Sequence, residues 1–200
     1  MRRLGLVAVA SLELMLIVGL SIPGEAMMVK RSLVEQVEVS DYIVTGTVIG
    51  QESREASFKG IPLMYTEVTL RVDHCAKHLP EGSEPAYLTV RIPGGKVGLR
   101  EVIASETPTF RQGELTVALL QRLDARTCRL AHGEASVYRL IADPVSRQGV
   151  VVDAAGQPLS VEDRRDLGLP PTVPPIVPHD LFLQRLEELV QRHQSQRERP

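Results

Sequence analysis

Four side chains that can bind a metal ion, Asp73, His74, Cys75 and His78, lie within six consecutive residues. Imidazole and thiolate are preferred zinc ligands, and His74 and His78 would share one face of a helix because residues four apart are helical neighbours. Structural zinc needs four ligands and catalytic zinc needs three with a water, so this cluster alone completes neither site. A polar turn after a strand is the alternative interpretation. The metal candidates are therefore His74, His78 and Cys75, and they support one functional alternative, a metal-dependent hydrolase.

Cys75 has a second candidate role, because Cys128 is the only other cysteine of the chain. A disulfide between them would close a loop of about 50 residues and add roughly 3–4 kcal/mol of stability by restricting the unfolded chain. Such bonds persist in oxidising compartments. The bond also needs a short Cα separation, which a sequence does not show. Two interpretations stay open, one disulfide or two thiols that never approach each other.

Other familiar arrangements of catalytic residues are missing from the sequence. No Gly-x-Ser-x-Gly elbow presents a nucleophile. Gly94, Gly95 and Gly98 lack the Lys-Ser/Thr ending of a phosphate-binding loop, so we interpret them as a sharp turn at a strand end. The carboxylates are dispersed, which leaves no assignable pair for glycoside hydrolysis. We therefore expect a protein without enzymatic activity and without a cofactor.

The first residues have the pattern of an export signal. Two arginines precede an apolar run from Leu4 to Ile22, and small residues occupy the −3 and −1 positions before a cleavage point after Ala26. We predict that residues 1–26 are a signal peptide and that the mature protein is secreted or periplasmic. An uncleaved anchor is the alternative and the only membrane contact that we expect, although Glu13 within the run opposes stable spanning.

The charge of the chain is nearly balanced. Lysine and arginine number 23 against 25 aspartate and glutamate residues, for a formal net charge of −2 at pH 7. The basic residues are scattered rather than clustered, so the sequence offers no electrostatic footprint for nucleic acid. We therefore exclude nucleic acid as an expected partner.

The clearest structural pattern is the alternation of apolar and polar residues from Met64 to Asp73. A period of two predicts a β-strand with one buried and one solvated face. The alternation from Ala86 to Ile92 predicts another strand, and the β-branched run from Tyr42 to Ile49 predicts a third. Gly46 within that run indicates a bulge or a close backbone crossing. Two polar stretches are expected to connect these strands, residues 51–60 as a hairpin loop and 74–83 as a longer connection.

Three more apolar runs complete the predicted strands, at residues 115–120, 137–142 and 150–152. The first of them is apolar at nearly every position, which predicts a strand buried on both faces. Six strands favour a closed barrel or a sandwich, because either leaves few exposed edges. We therefore predict a mainly β domain over residues 27–168, an antiparallel barrel or sandwich with a short amphipathic helix at residues 29–39.

After Gly168 the composition becomes proline-rich, which predicts a stiff extended linker over residues 169–179. Residues 180–194 are then expected to form an amphipathic helix, with an apolar stripe made by Phe182, Leu186, Leu189 and Val190. Such a stripe is usually covered, so we expect it to pack on its own domain, with docking onto another protein or a membrane as the alternative. Residues 195–200 are expected to be a disordered tail.

Residues 94–113 carry isolated apolar residues among glycine, proline and polar residues, which is typical of a long loop. This loop is the predicted contact surface, with candidate residues Gly94, Gly95, Arg100 and Phe110. A β core behind an export signal, without a convergent catalytic set, predicts an exported non-enzymatic binding or accessory module that acts on another extracytoplasmic protein. A structural envelope protein is a further alternative.

Four segments resemble a family of uncharacterised secreted bacterial proteins: SDYIVTGTV at Ser40–Val48, YTEVTLRV at Tyr65–Val72, VRIPGG at Val90–Gly95 and PTFRQGE at Pro108–Glu114. Where that family usually has Lys-Gly after the second strand, this chain has residues 74–78. More remotely, the first two segments resemble the OB-type barrel of netrin-like and metalloproteinase-inhibitor domains. This resemblance implies an OB-like barrel and a protease-associated partner. The inhibitors' amino-terminal cysteine has no counterpart here, so their inhibitory residues do not transfer.

Overall fold

The computed structural model describes residues 31–78, 85–143, 146–171 and 176–197, so the predicted signal peptide lies outside the described residues. Strands β1 to β10 are, in chain order, Tyr42–Phe58, Ile61–Lys77, Tyr87–Pro93, Gly95–Val97, Arg100–Val102, Leu115–Arg122, Thr127–Leu130, Val137–Ala142, Gly149–Asp153 and Val177–Pro178. Helices α1 to α3 are Leu33–Val39, Val161–Asp166 and His179–Arg197, and a 3₁₀ turn covers Gly133–Ser136.

Five strands form a closed ring in the order β1–β2–β3–β7–β6, because β6 pairs with β1 as well as with β7. The predicted mainly β fold with a short helix near its start and a helix near the C-terminus is confirmed, and of the two predicted architectures, barrel or sandwich, the sheet closes toward a barrel. One pairing departs from the antiparallel expectation, since β3 and β7 run parallel. The four residues of β7 form too short a strand to produce a detectable alternation.

Two hydrophobic clusters lie on opposite sides of β6. The barrel interior receives Ala118 and Leu120, while Val117 and Leu119 face a second cluster that contains side chains of α1 and α3 and the leucines that flank α2. The predicted burial of this strand on both faces is therefore confirmed. Beyond β6 the sheet continues through β8 and β9 to β10. The second cluster thus joins the helices to the outside of the barrel.

The first two strands are much longer than predicted. Residues 51–60, expected to be a loop, belong mostly to β1, which pairs with β2 up to Phe58 and Ile61. The turn is only Lys59 and Gly60, and both have positive φ, 52° and 80°, as a two-residue hairpin turn requires. The outer part of this hairpin extends past the barrel, where one face meets solvent, the other carries the β4–β5 hairpin over Ser53 and Glu55, and polar residues replace the alternation.

The C-terminal segments belong to the same compact unit as the barrel. The apolar stripe of α3 is buried as expected, and Phe182 lies against Tyr138 with ring centroids 5.1 Å apart. The described ends of the predicted linker differ from a free spacer: Leu169 is buried, and Val177 pairs with Val151 as part of β10. Helix α3 also continues to Arg197, so the expected disordered tail can begin only beyond the described residues.

Helix α1 is shorter than predicted because Ser32 caps it. The Ser32 hydroxyl accepts a hydrogen bond from the Glu35 amide, and the Glu35 carboxylate accepts one from the Ser32 amide. The Asp166 carboxylate, at the end of α2, accepts a hydrogen bond from the Leu33 amide at 2.7 Å. These contacts fix α1 beside α2, on the helical side of the sheet.

Candidate functional site

The structure does not bring the predicted metal ligands together. Strand β2 continues through Lys77, so the expected helical face does not exist, and consecutive side chains point to opposite sides. Cys75 faces the barrel interior, whereas the exposed His74 has Nε2 2.8 Å from Oε1 of Glu187 on α3. His78 follows the strand and is exposed. Within the described ranges, no three His, Cys, Asp or Glu side chains are placed to hold a metal ion.

The two cysteines are buried in the same barrel cluster, but no disulfide joins them. The Cys75 thiol donates a hydrogen bond to the Lys77 carbonyl at 3.1 Å. Burial raises the pKa of Cys128 to about 12, and the nearby carboxylates of Asp41 and Asp124 act in the same direction. The thiolate is the reactive form of cysteine, so Cys128 is an inert core residue at neutral pH.

This protection leads to a testable prediction about thiol chemistry. In a Cys75→Ala variant, we expect iodoacetamide at pH 8 to label Cys128 in the folded protein roughly 100-fold more slowly than in urea. Folding lowers the fraction of Cys128 that is thiolate and also blocks the access of the reagent to its sulfur. Mass spectrometry measures the rate.

In the unreduced wild type, labelling under urea should modify both cysteines. Labelling of neither until a reductant is added would instead demonstrate a disulfide.

The predicted contact loop divides into two parts with different environments. Residues 95–102 form a small hairpin, β4–β5, that projects from the end of β3. Phe110, by contrast, is buried in the barrel cluster at 5% exposure. This is a correction, because a side chain that fills the barrel interior cannot contact a partner. The sequence did not indicate the burial of Phe110, because the next two residues, Arg111 and Gln112, are polar and exposed.

Hydrogen bonds anchor the start of the β4–β5 hairpin to the long β1–β2 hairpin. The Gly94 amide donates to the Met64 carbonyl at 2.9 Å, and the Thr66 hydroxyl donates to the Gly94 carbonyl at 2.9 Å. The Ser53 hydroxyl lies 2.9 Å from that of Thr66 and accepts a hydrogen bond from the Lys96 amide at 3.2 Å. Backbone and hydroxyl groups therefore fix the position of the small hairpin.

The Gly-Gly pair is required for this close approach. Gly94 has φ +84°, and a Cβ there would lie 2.6 Å from the Val102 carbonyl oxygen. Gly95 has φ +137°, and a Cβ there would clash with the hydroxyl groups of Thr66 and Ser53. The interpretation of these glycines as a sharp turn agrees with the positive φ values. The contact with Ser53 and Thr66 is a second requirement, which only the structure shows.

The small hairpin and the residue that follows it present apolar side chains to solvent, which we call the apolar tip: Leu99, Val102 and Ile103. Leu99 is fully exposed, Ile103 is 88% exposed and Val102 is 46% exposed. Between them, Arg100 pairs with Glu55 on β1 at 3.0 Å. Both partners of that pair are largely exposed, so it contributes little stability and mainly orients the hairpin. The apolar tip was not among the predicted contact residues, because isolated apolar positions carry no periodic signal.

The opposite face of the long hairpin carries a network of charges. The Glu67 carboxylate pairs with Arg54 on β1 at 3.3 Å and with Arg91 on β3 at 2.8 Å. The Arg91 guanidinium also lies 4.5 Å from the centroid of the Tyr65 ring. Cross-strand pairs of this kind stabilise a sheet. The network therefore links three neighbouring strands on the face away from the small hairpin.

Comparison with protein-family models and with curated proteins gave no match. The resemblance to secreted bacterial proteins and to OB-type inhibitor domains therefore stays a prediction. None of the helices in the described part of the chain is both long enough and apolar enough to cross a membrane.

Proposed function

We propose that this chain is an exported, non-enzymatic module that binds another extracytoplasmic protein through the apolar tip. The observation that supports the proposal is the exposure of Leu99 and Ile103 on a short hairpin that hydrogen bonds anchor to a paired sheet. Exposed apolar side chains on a preorganised support lose little conformational freedom on binding, which favours association. Several largely exposed apolar side chains within five residues of one another are a candidate interaction site.

The chemistry of the tip favours a protein over other partner classes. Charges beside the apolar residues have both signs, with Lys96 and Arg100 close to Glu101. Anionic lipid or nucleic acid would instead favour a concentration of basic residues. The resemblance to metalloproteinase-inhibitor domains makes a protease-associated protein the first partner class to test, although no inhibitory residue is carried over.

The proposal predicts a specific loss of binding when the tip becomes acidic. In a Leu99→Glu, Ile103→Glu variant, we expect recovery of the partner from the native extracytoplasmic fraction to fall at least about tenfold, because central interface residues carry most of the binding energy. Quantitative mass spectrometry of affinity-purified material measures the recovery. A photoreactive residue at position 99 should crosslink to the same partner.

The matched control is Val161→Glu, since Val161 is exposed on α2, away from the tip. This variant should retain the partner, and all variants should unfold at similar urea concentrations because surface substitutions rarely change stability by more than about 0.5 kcal/mol. Equal recovery by the wild type and the tip variant would contradict the proposal. So would equal recovery after a short Gly-Ser linker replaces the small hairpin.

A further inference from the structure

The outer half of β1 has an edge that no described strand covers. Strand β6 pairs with β1 only as far as Thr47, and the last contacts along this edge are the Gly113 amide on the Val48 carbonyl and the Gln112 side chain on the Ile49 carbonyl. From Gly50 to Phe58, β1 pairs with β2 alone. Such an edge presents backbone groups that can pair with a further strand.

We infer that a second copy of this chain pairs with this edge, so that two long hairpins join into one continuous four-stranded sheet. The partner strand is then the same segment of the other molecule, running antiparallel about a twofold axis through Ser53. This inference is separate from the proposed function, because the edge of β1 makes the contacts and not the apolar tip, while Ser53 and Glu55 also hold the small hairpin that carries the tip.

Symmetry limits the registers available to such a pair. A twofold axis perpendicular to the sheet leaves each side chain on the same face of the sheet in both copies. Residues opposite each other in an antiparallel pair also share a face, and faces alternate along a strand. The axis must therefore pass through a residue position, and that residue lies opposite its own copy. An axis at Glu52, Arg54 or Glu55 would place that charged residue directly opposite its own copy. Like charges in opposite positions destabilise a sheet, which disfavours these three registers.

The axis at Ser53 avoids this repulsion and forms two ion pairs. Residue 52 then lies opposite residue 54 of the second copy, so Glu52 faces Arg54 twice in the dimer. Both side chains are more than half exposed and already lie 2.9 Å apart within one chain, so they can exchange partners across the axis. Opposite-charge pairs in these positions stabilise a sheet.

The flanking positions of this register pair small or polar residues, and the small hairpins of the two copies lie on the same face, over Ser53 and Glu55 of each chain. Gly50 lies opposite Ala56, and Gln51 lies opposite Glu55, which accepts a hydrogen bond from Arg100 at 3.0 Å within its own chain. The paired segment, residues 50–56, fits within the uncovered edge. An isologous contact of this kind closes at two copies, whereas a heterologous contact can continue into an open-ended assembly.

Charge reversal tests the inference. The purified mature wild type should sediment as a reversible dimer at concentrations around 100 µM, a range in which weak interfaces are populated. Glu52→Arg or Arg54→Glu alone should raise the dissociation constant at least about tenfold, because each places two like-charge pairs across the axis. The double variant, Glu52→Arg with Arg54→Glu, should restore the wild-type constant. Glu38→Arg, on the exposed side of α1, is the control for net charge and should not change it.

A crosslinking experiment tests the register independently. Ser53→Cys should give an intermolecular disulfide under mild oxidation, since residue 53 lies beside its own copy, whereas Ala56→Cys should not. A wild type that remains monomeric, single variants that dimerise normally, or a double variant that does not recover would each overturn the inference. Crosslinking at position 56 as efficient as at 53 would overturn the register.

Discussion

Replacing Phe182 with alanine is expected to lower the free energy of unfolding by about 3–5 kcal/mol, the usual loss for a large buried aromatic side chain. Phe182 is completely buried and packs against the ring of Tyr138, which is itself buried on β8. The substitution would leave a cavity between α3 and the sheet. Urea denaturation followed by circular dichroism measures the change.

The same experiment shows whether the C-terminal helix is part of the folded domain. Gln184→Ala is the matched control, because Gln184 is exposed on the same helix and its loss should change stability by no more than about 0.5 kcal/mol. If α3 were an independent arm held out by a proline-rich spacer, both substitutions would have the same small effect. That result would contradict the packing described for α3.

Replacing Gly46 with alanine is expected to destabilise the barrel by about 1–3 kcal/mol, the typical cost of adding a methyl group to a tightly packed position. A Cβ at Gly46 would lie 2.7 Å from the Arg71 carbonyl oxygen, which is backbone and cannot rotate away. Gly46 also adjoins a register shift in the pairing of β1 with β2, while β6 pairs on its other side. The strand therefore has no free side toward which it could move.

Gly50 supplies a control within the same strand. No atom lies within 4 Å of a Cβ at Gly50, so Gly50→Ala should leave stability unchanged or raise it by up to about 1 kcal/mol through the unfolded chain. Urea midpoints of the two variants, compared with the wild type, measure the difference. Equal midpoints for Gly46→Ala and Gly50→Ala would show that the close approach at Gly46 is not a constraint.

Several elements could be predicted because their side chains alternate between the apolar interior and solvent. The buried face of β3, with Leu88, Val90 and Ile92, follows directly from its alternation. The stripe of α3 and the doubly buried strand β6 were predicted from the same contrast. Gly46 was also interpreted correctly, because glycine weakens the interior of a strand unless the backbone bulges there or another segment approaches it closely.

The errors lie where this physical contrast is missing. Residues 51–58 are strand, yet they extend beyond the barrel, where residues 51–57 meet solvent except for the contact of the small hairpin with Ser53 and Glu55, so they carry no alternation. Residues 74–77 continue β2 although their polar side chains resemble a turn or a metal cluster. Val177 belongs to the sheet despite the surrounding prolines, because it pairs at the edge, where a neighbouring proline removes no required hydrogen bond.

The candidate site shows the same division. The loop was located by its glycines and its lack of periodicity, but its exposed and buried residues could not be distinguished. Phe110 and Ile103 are both isolated apolar residues in the sequence, whereas one fills the barrel and the other is exposed. The difference depends on which distant strands surround each residue, and local composition does not contain that information.

By itself, the amino-acid sequence determined that this chain forms a mainly β domain, a barrel or a sandwich, with an amphipathic C-terminal helix, because each strand and helix has its own local periodicity of apolar residues. Only the tertiary structure decided that β3 and β7 run parallel, that His74 and Cys75 point apart, and that Leu99 and Ile103 are exposed beside Gly95. These outcomes depend on contacts between segments far apart in the chain, and such contacts are settled by the packing of the whole domain.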